Sequence, residues 1–447
     1  MQRDAINELI NWKNSQDRKP LILQGARQVG KTWLMKKFAL DEYKDYIYIT
    51  FDRNDFMKEL FSGDINIPKI IEALELKTGK KIRSSKTLII LDEIQECPEA
   101  LTTLKYFFEQ TPQYHIIVAG SLLGVSLSGS GFPVGKVDFM TLYPLNFGEF
   151  LDAMGQNKLR RLLKNRDLEL LKPFLEDIKY LLKQYYYIGG MPEVVNSFIK
   201  YGDYKKVRNL QENILISYEQ DFSKHTSTTM AERIRGLWNS ISSQLSRENS
   251  KFIYGAIKEG AKAREYKQAI NWLRDSGLIY KISKITKPYM PIKAYEDLSS
   301  FKIFLLDVGL LGAMSNLSAK TILEEDKIFR EFKGALAEQY VLQQIKRQNL
   351  PIYYWGSERK AEIDFVVQYD DIVVPIEVKS KTNKKAKSLA LYRKEYTPQK
   401  SVRTSLSNFK IDEDLYNIPL YMIGNIENII SASMEPSQLS LFNFNQV

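Results

Sequence analysis

Pro20-Leu21-Ile22-Leu23-Gln24-Gly25-Ala26-Arg27-Gln28-Val29-Gly30-Lys31-Thr32-Trp33-Leu34-Met35-Lys36-Lys37-Phe38 decides how the first part of this chain is read. An apolar run of strand length enters a glycine-rich turn, and apolar residues at helical spacing leave it. Gly25–Thr32 fills every fixed position of G-x-x-x-x-G-K-[ST]. In such a turn the backbone N–H groups of Gly25, Ala26, Arg27, Gln28, Val29 and Gly30 wrap a polyphosphate. The N-terminus of the following helix adds partial positive charge. Lys31 is placed to reach the β- and γ-phosphates of ATP, and the Thr32 hydroxyl to ligate Mg²⁺.

Further along, Tyr46–Phe51, Thr87–Leu91, His115–Ala119 and Val137–Leu142 read as strands, with helices near Ile67–Leu76 and Glu99–Gln110. Strands that are apolar throughout and alternate with helices indicate a parallel sheet covered on both faces. The run Thr87–Leu91 ends in Asp92-Glu93, at the carboxyl end of a buried strand, where such sheets bind ligands. Asp92 is expected to hold Mg²⁺ through its waters, and Glu93 to orient and polarise the attacking water. Ser121, after the next strand, is expected to read the γ-phosphate. The plainer alternatives are an acidic helix cap and a turn serine.

At 447 residues the chain has room for roughly two to four domains. Its 44% hydrophobic and 26% charged residues describe an ordinary soluble protein. No apolar run reaches membrane-spanning length and Met1-Gln2-Arg3-Asp4 opens no signal peptide, so a cytoplasmic location is expected. The single cysteine, Cys97, excludes an intramolecular disulfide and a cysteine-built zinc site. Two histidines leave little material for histidine chemistry. The net charge of +10 favours an anionic partner. Basic residues crowd Lys379–Arg403, with only Glu395 opposing them. That run is either a solvated helix face or a nucleic-acid contact.

Residues 129–135 are glycine-rich and read as a mobile loop. Residues 146–245 read as largely helical, interrupted at Gly189-Gly190-Met191-Pro192, with Tyr185-Tyr186-Tyr187 as packing residues. A short helix at Phe252–Glu259, a second at Arg264–Asp275 and paired strands at Leu278–Ser283 and Lys302–Leu306 follow. Helix, helix, hairpin is the winged-helix pattern, with Lys262, Arg264 and Lys267 at the start of the candidate recognition helix. A spacer without DNA contact is the alternative. Beyond it, Leu336, Tyr340, Val341 and Ile345 mark the core face of a helix. Tyr353–Trp355, Glu362–Val367 and Val373–Lys379 read as strands. Glu377 and Lys379 share a strand face, and a hairpin brings Asp364 alongside. Two carboxylates to hold a divalent metal and a lysine to activate water are thereby expected, with Glu338 of the helix completing the acidic cluster. Ordinary surface charge is the alternative.

Gly25–Thr32, Leu91-Asp92-Glu93-Ile94-Gln95, Gly120-Ser121 and Leu142-Tyr143-Pro144-Leu145-Asn146-Phe147-Gly148-Glu149-Phe150 resemble a widespread prokaryotic family. It comprises AAA-type, STAND-like P-loop ATPases carrying a C-terminal domain of unknown function. Ser250–Leu310 and Gly334–Lys379 resemble that C-terminal part, which is similar to a winged helix followed by a restriction-endonuclease-like, PD-(D/E)XK, domain. Where such families place an arginine before Tyr-Pro-Leu, Lys136 stands here. The expected fold class is α/β: a P-loop NTPase parallel sheet over 1–150, a helical connector over 151–245, a winged helix over 246–325 and a nuclease-like α/β domain over 326–447. The expected function is ATP hydrolysis with Mg²⁺, coupled to DNA binding, with metal-dependent DNA cleavage at Glu338, Asp364, Glu377 and Lys379. A second Mg²⁺ or a Mn²⁺ would serve that cleavage. The alternative is a nucleotide-gated switch for a protein partner, its terminal domain non-catalytic.

Overall fold

The computed structural model describes the whole chain except residues 64, 121–132, 248–250, 324–331, 358–360, 381–386 and 432–447. The chain forms two compact units, Met1–Tyr143 with Asn271–Leu278, and Pro144–Ile270 with Ile279–Val447.

In the first unit, β1 (Leu21–Gln24), β2 (Asp45–Thr50), β3 (Thr87–Asp92), β4 (His115–Ala119) and β5 (Asp138–Thr141) form one sheet in the order β2-β3-β4-β1-β5. Every pairing is parallel. Central β3 and β4 are buried along their whole length, which is why they read as unbroken apolar runs, whereas edge strand β2 alternates. Helices at Asp55–Ser62, Ile67–Thr78 and Pro98–Gln110 pack Phe61, Leu74 and Leu104 against Ile49, Ile89 and Val118 of the sheet. Because all five strands run one way, their carboxyl ends share one edge. The strand that enters the glycine-rich turn and the strand that ends in Asp92 sit on either side of β4 along that edge.

In the second unit the helices fall on both sides of the Gly189-Gly190 break, chiefly Leu175–Ile188, Pro192–Tyr201, Tyr204–Lys224 and Thr228–Leu245. The break has a packing cause. The buried carboxylate of Asp307 accepts from the N–H groups of Gly190 (2.6 Å) and Leu310 (3.1 Å) and from Gln343 Nε2 (3.0 Å). A Cβ on Gly189 would stand 2.1 Å from Asp307 Oδ1. Tyr185, Tyr186 and Tyr187 are buried beside it, as packing residues. Glu149 is also fully buried. It completes a capping box with Asn146 and accepts from both Arg347 Nη1 (2.8 Å) and Nη2 (3.3 Å).

The sheet of this unit contains β6 (Ile279–Ile285), β7 (Glu296–Leu305), β8 (Ile352–Gly356), β9 (Glu362–Tyr369), β10 (Ile372–Val378), β11 (Ser401–Ser405), β12 (Lys410–Asp412) and β13 (Leu415–Pro419). Their order is β12-β13-β11-β10-β9-β8-β6-β7, with mixed directions. The β6–β7 hairpin therefore joins the same sheet as the later strands, and a boundary near residue 325 runs through one sheet. The short helix expected at Phe252–Glu259 is only a 3-10 turn at Tyr254–Ala256. The Phe252 N–H is taken by the Phe301 carbonyl (2.8 Å) and the Ile253 N–H by Gln244 Oε1 (3.0 Å), which holds the entry extended.

His115, at the start of β4, is 5% exposed and holds Tyr43 Oη at 2.7 Å through Nδ1. Burial, then the charges of Arg18 and Lys13, push its pKa down to about 4. Folding therefore favours the neutral ring: its contribution is complete above the ordinary histidine pKa and is lost as pH falls from there to about 4. The expected loss is about 3 kcal/mol. Denaturant titrations of wild type and His115→Gln between neutral pH and pH ~4 check this: the acid slope should flatten in the variant.

Candidate functional site

At the end of β1 the chain turns through Gly25, with φ at +143°, where a Cβ would stand 2.4 Å from the Leu142 carbonyl oxygen. Gly30, at φ +96°, opens the helix Lys31–Glu42. Arg3 braces the turn from outside, its Nη1 donating to the Val29 carbonyl (3.0 Å) and its Nη2 to that of Tyr143 (2.5 Å). Lys31 curls back over its own loop, Nζ donating to the carbonyls of Gly25 (2.8 Å) and Ala26 (2.9 Å). Burial lowers its pKa to about 8, against the upward pull of Glu93 and Asp92.

Thr32 Oγ1 donates to Asp92 Oδ2 at 2.6 Å, so the two residues expected to share a Mg²⁺ do converge. Their hydroxyl and carboxylate oxygens are the hard donors that Mg²⁺ takes. Tyr48 Oη donates to the same Asp92 oxygen (3.0 Å), and the Glu93 N–H to the other (3.0 Å). Burial, reinforced by Asp92, raises the Tyr48 pKa, so the phenol stays a donor. Glu93 sits in the left-handed region at φ +52°, and its carboxylate accepts from Gln95 Nε2 (2.5 Å). Ser121 lies outside the described residues. Lys136, where an arginine is expected, pairs with Glu109 (3.0 Å). Gly277, at φ +75°, lies against the loop: a Cβ there would be 3.3 Å from the Ala26 nitrogen. Tyr48 and Arg3 were not foreseen. Tyr48 carries a weak signal, a polar-tipped residue near the carboxyl end of a strand in this sheet; Arg3 carries none.

The carboxylates of the second unit arrange themselves differently from the expected metal cluster. Asp364 and Glu377 do meet across the β9–β10 hairpin, Asp364 Oδ2 accepting the Val378 N–H at 2.7 Å. Glu377 pairs with Lys379. Glu338, however, faces Lys302 of β7, whose Nζ lies 3.6 Å from Glu338 Oε2 and 2.5 Å from Glu362 Oε1. Lys302 is wholly buried. Burial opposes its charge, but Glu338, Glu362 and Asp364 outweigh burial and raise its pKa. Burial raises the pKa values of Glu338 and Glu377 as well. Among the described residues no three Asp, Glu, His or Cys side chains are arranged to hold a metal ion. This arrangement lends no support to the metal expected on Glu338, Asp364 and Glu377: the Lys302 ammonium stands against Glu338 and that of Lys379 against Glu377.

In the basic stretch, Lys381, Lys384 and Lys385 lie outside the described residues. Arg393 Nε donates to Asp414 (3.0 Å), Arg403 Nε to Asn417 Oδ1 (2.7 Å), and Lys400 to the Ile430 carbonyl. Lys262, Arg264 and Lys267, by contrast, are exposed around the start of the helix Ala263–Asp275.

Residues 17–151 match the family described as "AAA domain". The first unit, with its parallel sheet and glycine-rich turn, has the fold of a P-loop NTPase. Residues 179–321 and 333–423 match two domains of unknown function, DUF8612 and DUF4143. Two uncharacterized proteins of Methanocaldococcus jannaschii are similar in sequence. One is 24% identical over 77% of this chain and 71% of its own length. The other is 23% identical over 53% of this chain and 51% of its own length. Among solved structures, a Walker-type ATPase of Pyrococcus abyssi is similar with a TM-score of 0.44 and 13% identity, covering 70% of this chain and 95% of that one. The Aeropyrum pernix Orc1 protein in complex with DNA gives 0.30 and 11%, covering 71% and 93%. Among the described residues no helix is long and apolar enough to cross a membrane.

Two substitutions probe the ATPase site. Lys31→Ala removes the ammonium expected to reach the phosphates and should abolish binding of a fluorescent ATP analogue, read by anisotropy. Tyr48→Phe removes one donor to Asp92 without emptying the loop. It should leave nucleotide affinity within about threefold while lowering turnover about tenfold, as loss of a hydrogen bond to a charged group implies.

Proposed function

We propose that this protein is a cytoplasmic, Mg²⁺-dependent ATPase that switches between nucleotide states, and that its second unit binds a partner rather than cutting one. The observation that carries the reading is the 2.6 Å contact of Thr32 with Asp92 beside a buried Lys31. The loop's N–H groups and the positive end of the helix Lys31–Glu42 take the phosphates. Lys31 exchanges its two carbonyl partners for the β- and γ-phosphate oxygens. Thr32 and Asp92 would hold Mg²⁺, which would supply charge neutralisation at the phosphates. Glu93 orients a water and accepts its proton as the water oxygen bonds to the γ-phosphorus and the bond from that phosphorus to ADP breaks, releasing ADP and phosphate. Metal-dependent cleavage by Glu338, Asp364 and Glu377 forms no part of this reading, because Lys302 answers Glu338 and Lys379 answers Glu377.

DNA is the partner we favour, on the exposed Lys262, Arg264 and Lys267. A purely protein-directed switch is the second reading. It is favoured by the internal engagement of Arg393, Lys400 and Arg403, which leaves less of the basic stretch for phosphates.

Glu93→Gln should retain ATP binding and slow hydrolysis at least a hundredfold, within the usual range for loss of a general base. Steady-state phosphate release together with nucleotide anisotropy checks this; unchanged turnover would remove Glu93 from its role. If DNA is the partner, duplex should raise wild-type turnover. Replacing Lys262, Arg264 and Lys267 by Gln should weaken DNA binding and reduce the slope of log affinity against log salt by about three. Tight nucleotide retention with no response to DNA would select the second reading.

A further inference from the structure

We propose that Lys302 is a resident cation of the C-terminal carboxylate cluster, and that its ammonium keeps divalent metal out of that cluster. Four acidic side chains meet there from three elements: Glu338 from the helix Phe332–Ile345, Glu362 and Asp364 from β9, and Glu377 from β10. Buried carboxylates at this density need a counter-charge. Lys379 answers Glu377 at the rim, where its side chain is 32% exposed. The interior charge is answered by Lys302, fully buried, 2.5 Å from Glu362 and 3.6 Å from Glu338.

Its position is enforced by the backbone. Gln339, next to Glu338, clamps Leu305 of β7 with both ends of its amide, Oε1 accepting the Leu305 N–H (2.9 Å) and Nε2 donating to the Leu305 carbonyl (2.6 Å). Gln343, one turn on, accepts the Val308 N–H (3.0 Å). Phe304 lies against Phe365 of β9, ring centres 5.7 Å apart. These contacts hold the segment bearing Lys302 against both the helix and β9, so the ammonium is not free to swing out. Glu377 Oε2 meanwhile is buried with no hydrogen-bond partner. An ammonium and a divalent ion compete for the same lone pairs, and two such charges in one buried cluster repel each other. With the Lys302 ammonium in place the cluster needs no metal to offset its buried charge.

The test uses the nucleotide-free full chain carrying Asp92→Asn, which silences the first unit's metal position. Binding of Mn²⁺ is read by loss of its free electron-paramagnetic-resonance signal, and thermal unfolding is followed with Mn²⁺ or EDTA. The parent should bind no Mn²⁺ up to millimolar concentration and unfold at one temperature in both conditions. Lys302→Met, which keeps the side-chain bulk and removes the charge, should gain one Mn²⁺ per chain, at least tenfold tighter than the parent, and unfold higher in Mn²⁺. Adding Asp364→Asn should abolish that gain. If Lys302→Met does not fold, the double variant Lys302→Met, Glu362→Gln removes charge of both signs and is titrated in its place. Parent protein that binds Mn²⁺ in a manner lost with Asp364→Asn overturns the proposal. So does a folded Lys302→Met, or a folded double variant, that gains none. The ATPase reading is judged separately by turnover in chains with native Asp92, so either result can fail alone.

Discussion

The contact between Thr32 and Asp92 depends on a constraint set by the whole first sheet: five strands running in one direction. Parallel strands deliver their carboxyl ends to a common edge, and there the glycine turn after β1 and the acid pair after β3 come together although β4 separates their strands. Reverse β1 or β3 alone and the hydroxyl and the carboxylate fall at opposite ends of the sheet. Tyr48 on β2 reaches the same Asp92 oxygen because that strand also ends at this edge. The helices around the sheet bury its faces; the common direction of the strands makes the chemistry.

Two buried carboxylates of the second unit show a different kind of interaction, a buried charge answered by several donors. Asp307 receives two backbone N–H groups and an amide, and Glu149 receives a cap nitrogen and a guanidinium. Each is costly if one partner is removed and close to neutral when all are present. Such groups select one arrangement of helices among the many that a merely apolar core would accept.

Local pattern carried most of the first unit. Gly25–Thr32 and Leu91–Glu93 are read from adjacent residues because backbone conformation, helix start and strand end are local events. The parallel sheet followed from apolar runs that no edge strand would show. Asp364 and Glu377 were legible as hairpin neighbours for the same reason. Lys302 was not. It sits inside the apolar run Lys302-Ile303-Phe304-Leu305-Leu306, and the carboxylates that neutralise it come from β9 and a helix far along the chain. The available hint was a lysine on a strand otherwise bound for the interior, which implies a buried partner without saying which. The missed turn at Tyr254–Ala256 has the same origin: Phe301 and Gln244, remote in sequence, take the N–H groups that an entering helix would leave to solvent.

Gly277 beside Ala26 bears on how this polypeptide can be taken apart. The first unit is discontinuous, since Asn271–Leu278 belongs to it although the chain on either side belongs to the second. A fragment ending near residue 151, where the recognisable AAA domain stops, would lack the segment that lies against the phosphate loop. Its Ala26 would face solvent where the intact chain supplies backbone. Cutting at one linker therefore yields neither unit whole. Dissection by truncation will confound loss of the second unit with damage to the glycine-rich loop, and point substitution is the cleaner instrument for separating them.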